Sequence, residues 1–256
     1  MKKIKLIARK PYFLVFSCIC IFIFLSSFKL GVFRASTSKK QVSFPVISLV
    51  PNLVIADVKV ENDHVLLSLR NDSDKAITAL SWSSSEVIYK SEMIGSDDTI
   101  AVGATKVKSC GLPSPTSHEK GITILAVVYE DGTSDGDAKF VKEIFAERAG
   151  EQEQLARILP LFRDTLVTRK NMSLMQKREV VKLKLEQLPV HEEEGWSLAF
   201  RTGLHNEKER AMNNLKQLEQ VENERGEDIA RKALLLIIDR YEKRNLAILN
   251  SLKQVR

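Results

Sequence analysis

The hydrophobic and polar positions of this 256-residue chain change their pattern twice along its length. An uncharged apolar run occupies residues 11–28, apolar and polar residues alternate in short runs over 46–140, and apolar residues three or four positions apart follow. Alternation with period two predicts β-strands, and the wider spacing predicts amphipathic helices. We therefore predict a cytoplasmic tail and transmembrane anchor (1–34), a spacer (35–45), a β-sandwich domain (46–140) and a helical region (141–256).

The apolar run at residues 11–28 (PYFLVFSCICIFIFLSSF) contains no charged residue. As a helix it would rise about 27 Å, close to the ~30 Å hydrocarbon core of a bilayer. We predict an uncleaved transmembrane helix that contacts membrane lipid through residues 11–28. A cleaved signal peptide is the alternative, although its apolar part usually has about 7–15 residues and ends in a small-x-small site. The short tail and long remainder predict a single-pass membrane protein with an extracytoplasmic soluble part, periplasmic or on the cell surface.

The β region contains several short runs with strand character. Residues 53–60 and 65–70 alternate, and the pair Asn62-Asp63 between them is typical of a tight hairpin. The strongest predicted strand is 122–129, which is rich in β-branched residues and nearly unbroken in hydrophobicity. About seven short strands at this spacing predict an antiparallel sandwich. The other predicted strands lie at 77–82, 86–89, 99–102 and 105–108.

Two segments of this region carry a family resemblance. Residues 69–80 (LRNDSDKAITAL) and 127–137 (VVYEDGTSDGD) resemble the pattern of immunoglobulin-like domains in uncharacterised membrane-anchored or exported bacterial proteins. The resemblance implies an immunoglobulin-like β-sandwich in a bacterial envelope protein, but it implies no activity, because a fold does not determine a function. The Cys…Trp…Cys spacing of antibody domains is absent from the sequence.

The helical region begins near Ala138, where apolar residues take helical spacing. Gly150 and Pro160 are predicted breaks or kinks in this first helix. A capping box at Ser173 predicts the start of a second helix, which ends before Pro189. The predicted fold class is therefore α+β, with an N-terminal transmembrane helix, an antiparallel immunoglobulin-like β-sandwich and a C-terminal helical region.

A long final helix is predicted over residues 206–255, with Gly226 as an interruption. Its last part has a heptad-like spacing, which fits a helical hairpin, packing against the sandwich, or self-association. We favour packing within the chain, and we keep self-association or a protein partner at this helix as the alternative. The residues at this spacing are Leu234, Ile238, Tyr241, Asn245, Ile248 and Leu252.

The net charge of +6 and the pI of about 9.1 suggest nucleic-acid binding at first sight. The charge is unevenly distributed, however, because residues 1–45 carry nine Lys or Arg and no acid, whereas the remaining 211 residues carry 30 basic and 33 acidic groups. All of the excess positive charge therefore flanks the apolar run, where it serves membrane orientation. We expect no nucleic-acid partner.

Two motifs partly resemble metal sites. Asp131 and Asp135 match the first and fifth positions of an EF-hand loop, but Lys142 occupies the twelfth position, where a bidentate carboxylate is required. We predict instead that Asp135 or Asp137 caps the following helix. His191 begins the segment HEEE, which partly resembles the motif of zinc proteases. Such a motif needs a second histidine four residues later, but that residue is Gly195, so we predict an acidic linker instead. No metal and no cofactor are expected.

No arrangement of nucleophile and base identifies an enzyme. The histidines (His64, His118, His191 and His205) are scattered, and no glycine-rich phosphate loop is present. Cys110 is the one cysteine outside the apolar run, and we assign it no reactive role. We therefore expect no catalytic residue.

We assign the two tryptophans roles in packing or contact rather than in catalysis. Trp82 is predicted to be a packing residue, and Trp196 either packs or forms an exposed apolar contact with a partner.

The sequence as a whole predicts a non-enzymatic protein-interaction or structural component of a bacterial envelope. The alternative is a ligand sensor or enzyme with a site at the junction of the β and helical halves.

Overall fold

A computed structural model describes residues 33–34 (backbone only), 45–62, 64–84, 87–111, 121–168, 171–190 and 195–253. The strands are β1 (Phe33–Arg34), β2 (Pro45–Ser48), β3 (Leu53–Glu61), β4 (His64–Asn71), β5 (Ile77–Ser84), β6 (Val87–Glu92), β7 (Thr105–Gly111), β8 (Ile122–Tyr129) and β9 (Ser134–Gly136). The helices are α1 (Ala138–Leu161), α2 (Leu174–Glu186), α3 (Leu198–Arg225) and α4 (Glu227–Lys253), and a π-helical segment (Phe162–Val167) continues α1.

The strands form two sheets. The larger sheet has the order β1-β2-β8-β5-β6, and the smaller sheet has the order β3-β4-β7. Strand β2 pairs with β8 in parallel, whereas the other pairings are antiparallel. Strand β2 pairs with residues 122–124 of β8, and the short strand β9 pairs with residues 126–128 of the same strand. The larger sheet is therefore mixed.

The larger sheet is the middle of three layers. Its inner face packs on the smaller sheet, where Leu80 and Trp82 share a core with Leu67. Its other face packs on α1, where Ala126 lies in a cluster with Ile144. Strands β5 and β8 are consequently buried on both faces. This explains why β8 is apolar almost throughout rather than alternating, and why the hydroxyls of Thr78, Ser81 and Ser84 in β5 donate to backbone carbonyls.

The helices form the third layer around a core of their own. Gly226, with φ of 88°, ends α3 and allows the chain to turn into α4. The two helices pack as an antiparallel hairpin, in which Asn214 of α3 donates a hydrogen bond to the Tyr241 hydroxyl of α4 at 2.6 Å. Most apolar members of the heptad-like spacing are buried within this chain: Leu234, Ile238, Tyr241 and Ile248.

The predicted fold class is wrong in two respects. Among the residues that the structure describes, no helix is long and apolar enough to cross a membrane, so the membrane, transmembrane-helix and signal-anchor assignments find no support. The residues on which they rested, 11–28, lie outside the described part of the chain. The sandwich is also not purely antiparallel, because β2 runs parallel to β8. Periodicity identifies a strand but does not specify its direction relative to its neighbour.

Several local predictions in the β region can be compared with the structure. The hairpin is confirmed, since Glu61 pairs with His64 and Asn62 adopts a left-handed φ of 48°. Strand β8 has the predicted bounds. The strand at 99–102 is wrong, because Ile100 forms only an isolated bridge with Ile77.

The helical predictions have a mixed outcome. Asp137 caps α1 and Ser173 forms a capping box on α2, as predicted. Gly150 does not break α1, and Pro160 lies inside its last turn, next to the π-helical segment. The final helix is two helices, and the first begins at Leu198 because Ser197 supplies an N-cap.

Candidate functional site

A buried group of charged side chains joins the larger sheet to α1, α3 and α4. Charges rarely lie in a protein interior unless they are paired and hydrogen-bonded. Here they come from four elements and meet where the β and helical halves touch. We call them the ion cluster: Glu92, Glu147, Arg148, Glu151, Glu207 and Arg244.

Arg148 of α1 is one centre of the ion cluster, and it has no exposed surface. Its Nε and Nη2 donate to the two carboxylate oxygens of Glu92 at 2.8 and 3.1 Å. Its Nη1 donates to the Ser251 hydroxyl at 2.5 Å, and Nη2 also donates to the Thr78 hydroxyl at 2.8 Å. One guanidinium therefore holds together two strands, α1 and α4.

Arg244 of α4 is the second centre. Its Nη2 donates to Glu151 of α1 at 2.6 Å and its Nε to Glu207 of α3 at 3.3 Å. Its Nη1 donates to the Ile94 carbonyl in the turn after β6. The Arg244 backbone also lies close to Gly95 in this turn. Arg244 thus fixes three helices and the end of β6 in one arrangement.

Two acids of the ion cluster have raised pKa values. The pKa of Glu151 is raised to about 8, mainly by burial; Arg244 opposes this shift, and the nearby Glu92 and Glu207 carboxylates contribute to it. Burial likewise raises the pKa of Glu147, against the attraction of Lys90. Buried ion pairs of this kind often add little net stability, but breaking one partner is strongly destabilising. The ion cluster therefore specifies how the two halves sit together.

Helices α1 and α3 touch through their backbones. A Cβ placed on Gly203 would lie 2.0 Å from the Glu147 carbonyl oxygen, and one placed on Gly150 would lie 2.0 Å from the Phe200 carbonyl oxygen. No residue larger than glycine fits at either position without a backbone shift. We call this the glycine contact, and it brings the backbones of α1 and α3 close together.

A cleft of about 420 Å³ lies beside the glycine contact, between the start of α1, the start of α3 and β6. We call it the junction cleft. Three lysines line it, namely Lys90, Lys139 and Lys142, together with Glu143. Its apolar lining comes from Ala146, Leu198 and Ala199.

The lysines of the junction cleft differ in their partners. Lys90 Nζ lies 3.3 Å from a Glu143 oxygen and 3.5 Å from a Glu147 oxygen, so its charge is compensated. Lys139 and Lys142 make no ion pair with any residue in the described ranges, and the Lys139 ammonium lies 5.3 Å from the centre of the Phe140 ring. Among the described residues, two of the three lysines that line the cleft therefore have no compensating carboxylate, and Glu192, Glu193 and Glu194, which precede Ser197 in the sequence, lie outside the described ranges.

The acidic residues of the loop that partly resembles an EF-hand make contacts within the chain. Asp131 lies 2.7 Å from Lys75 and accepts hydrogen bonds from Thr133. Asp135 accepts a hydrogen bond from the Tyr129 hydroxyl at 2.8 Å, and Asp137 caps α1. A broad surface cleft of about 590 Å³ lies between this loop and α1. No group of three metal-ligating side chains occurs among the residues that the structure describes.

Of the other singled-out residues, His64 and Cys110 lie on the neighbouring strands β4 and β7, where His64 pairs with Gly111, whereas His205 lies in the helical half. His64 is exposed on β4, His205 is exposed on α3, and His118 and His191 lie outside the described residues. Cys110 is buried in the sandwich, and this burial raises the pKa of its thiol to about 11.

The two tryptophans pack in different halves. Trp82 stacks on Tyr89 with their ring centres 5.6 Å apart. Trp196 packs against Phe200 at the start of α3, with ring centres 5.1 Å apart, and it remains partly exposed. The packing prediction for Trp82 is confirmed, and Trp196 lies next to the Ser197 and Leu198 wall of the junction cleft.

The sequence predictions place a site at the junction of the β and helical halves only as an alternative, and they contain no residue of the ion cluster. A signal exists in α1, where Arg148 and Glu151 have the helical spacing of the apolar residues Ile144 and Leu155, so a helical projection places charges on the buried face. Comparison with known proteins adds no further guide: no protein-family model matches the chain, and no curated protein or solved structure is similar to it.

Proposed function

We propose that this chain is a non-enzymatic interaction protein that recognises a partner protein at the junction cleft. The observation that carries the proposal is one concave site that combines an apolar lining with two lysines that have no acidic partner among the described residues. Leu198 at the edge of the cleft leaves 73% of its surface exposed, and with Ala146 and Ala199 it gives the cleft an apolar wall. A concave site lined by apolar groups with a few polar ones is typical of a binding site.

The surroundings of the cleft support recognition. The ion cluster and the glycine contact fix its walls relative to each other, and a rigid site loses little conformational entropy when a partner binds. Cys110 lies in the sandwich core and His205 on the surface of α3, whereas Lys90, Lys139, Lys142 and Glu143 line the cleft. A location at the bacterial envelope stays a prediction.

Self-association through α4 also stays a prediction. The predicted seam is used for packing inside this chain, so a second copy would have to use the other side of the helix. Leu235, Leu236 and Leu246 are exposed there. The junction cleft is the stronger candidate because its apolar and charged groups converge at one concave site.

Paired affinity capture tests the proposal. The full chain is compared with Leu198→Asp, which places a charge at the edge of the cleft, and with Leu183→Asp, which changes a similarly exposed leucine of α2. We expect one or more proteins to be held by the unchanged chain and by Leu183→Asp, and to be lost with Leu198→Asp. An identical set of proteins on all three would refute the proposed site, provided circular dichroism shows that each variant is folded.

A ligand sensor at the same junction is the second candidate. The volume of about 420 Å³ favours it, because small-molecule sites usually enclose about 300–1,000 Å³. A sensor would bind a low-molecular-weight compound with the purified chain alone, and Leu198→Asp would weaken that binding without any protein partner present.

A further inference from the structure

We infer that the partner presents an acidic segment to the junction cleft, with an Asp or Glu within one or two residues of a large apolar side chain. The inference rests on the proposed function, in which this cleft is the recognition site. It names the chemistry of the partner from the charge and polarity of the cleft walls.

The first argument is the balance of charge at the mouth. Glu143 and Glu147 both lie near Lys90, so these two acids are already engaged. Lys139 and Lys142 have no acidic partner among the described residues, and both side chains are solvent-exposed. A carboxylate from another chain would complete two ion pairs without displacing any contact described here.

The second argument is the direction of the helices. Arg148 and Glu151 of α1 meet Ser251 and Arg244 of α4, and Glu207 and Asn214 of α3 meet Arg244 and Tyr241, so α1 and α3 both run antiparallel to α4. Their N-terminal ends therefore point the same way, toward the cleft. Helix N-termini carry partial positive charge, which the capping carboxylate of Asp137 offsets at α1, whereas the first turn of α3 contains no acid.

The third argument concerns the apolar lining. Ala146, Ala199 and the exposed Leu198 offer a surface that a purely hydrophilic anion would leave uncovered. A nucleic-acid backbone carries charge without an adjoining apolar group, so it matches the lysines but not this lining. An acidic residue beside Leu, Ile, Phe or Met matches both.

Selection of displayed peptides tests the inference without knowledge of the partner. Random twelve-residue peptides are selected on the immobilised full chain, on the double variant Lys139→Glu/Lys142→Glu, and on a control, Lys182→Glu/Lys216→Glu, which changes two exposed lysines outside the cleft. We expect the unchanged chain and the control to select peptides with an acid next to a large apolar residue. The Lys139→Glu/Lys142→Glu chain should lose this preference.

The affinity of the chain for one selected peptide then measures how much the acidic residues contribute to binding. Replacement of its acids by Asn or Gln should weaken binding about fivefold, as expected for two partly exposed ion pairs, and the difference should shrink at high salt. A basic or uncharged consensus, no consensus, or an acidic consensus that survives Lys139→Glu/Lys142→Glu would each overturn the inference. If such a result came with continued loss of captured proteins in Leu198→Asp, the proposed function would stand and only the acidic chemistry would fall.

Discussion

Arg148 shows how much a single residue can decide in this protein. Its buried guanidinium donates hydrogen bonds to four acceptor atoms. Two belong to Glu92 and one each to Thr78 and Ser251, so these three residues must be correctly placed for the guanidinium to be satisfied. The same group would be ordinary on a helix surface, where an ion pair contributes little. Its burial makes it a requirement for the joining of the sheet to the helices.

Replacement of Arg148 by methionine should therefore be strongly destabilising. It leaves Glu92 as a largely buried carboxylate without its cation, and loss of one partner of a buried pair typically costs about 3–5 kcal/mol. Denaturant unfolding followed by circular dichroism measures the change. The matched control is Arg157→Met on the same helix, whose partly exposed pair with Glu153 should cost only about 0.5 kcal/mol. Equal effects of the two changes would contradict the role given to Arg148.

Glu151 should make stability depend on pH. Its pKa is raised by burial to about 8 in the folded chain, so the folded state binds this proton more tightly than the unfolded state. The resulting stability is fully present below the unfolded pKa and is lost as the pH rises toward 8. We expect the free energy of unfolding to fall between pH 5 and pH 8, and to fall less in Glu151→Gln, which is neutral throughout. Glu153→Gln should keep the slope of the unchanged chain, and a steeper slope in Glu151→Gln would be inconsistent with this account.

Cys110 should be chemically inert in the folded protein. Its side chain is buried and its thiol pKa is raised to about 11, which reduces the thiolate fraction by about a hundredfold. In a chain carrying Cys18→Ser and Cys20→Ser, iodoacetamide at pH 8 should modify Cys110 at least about a hundredfold more slowly in the native than in the guanidinium-unfolded state. Similar rates in both states would show that the thiol is accessible.

At the scale of elements, the sequence predicts features that depend on nearby residues, but not the pairing of distant segments. The caps at Asp137 and Ser173 depend on residues within one helical turn, so the sequence predicts them well. The parallel pairing of β2 with β8 depends on segments more than seventy positions apart, and no local pattern encodes it. Gly150 is instructive because its sequence context predicts a break, whereas the structure uses it for contact between two helices.

Enlargement of either glycine should force α1 and α3 apart. In Gly203→Ala the new methyl group would meet the Glu147 carbonyl oxygen at 2.0 Å, and overpacking of this kind costs about 1–3 kcal/mol. Alanine normally favours a helix over glycine, so the propensity effect has the opposite sign. Thermal unfolding should show a lower midpoint for Gly203→Ala and little change for Thr202→Ala, the neighbouring control. A raised midpoint in Gly203→Ala would mean that the helices are not in backbone contact.

At the scale of the whole molecule, the β and helical halves should unfold as one unit. The ion cluster and the cluster around Ile144 cross the boundary between them, so neither half can open without exposing charges or apolar surface of the other. The chain changes from strand to helix at Asp137, and the two halves pack against each other across this change.

The two tryptophans allow this to be measured. Trp82 reports on the sandwich and Trp196 on the helices, so Trp82→Phe and Trp196→Phe each leave one reporter in one half. We expect the denaturant transition of each variant, followed by fluorescence, to coincide with its own transition followed by far-ultraviolet circular dichroism. Separate midpoints for the two probes within either variant would show that the halves unfold independently.

The partners of the ion cluster are widely spaced in the order of synthesis. Ser251 follows Arg148 by 103 positions, and Arg244 follows Ile94 by 150. While a ribosome is still adding α4, the sheet and α1 have already been made, and Arg148 and Glu151 lack half of their final neighbours. Until α4 emerges, water or a chaperone must solvate those charges, so a nascent chain stalled before Arg244 should be a preferred substrate for cellular quality control.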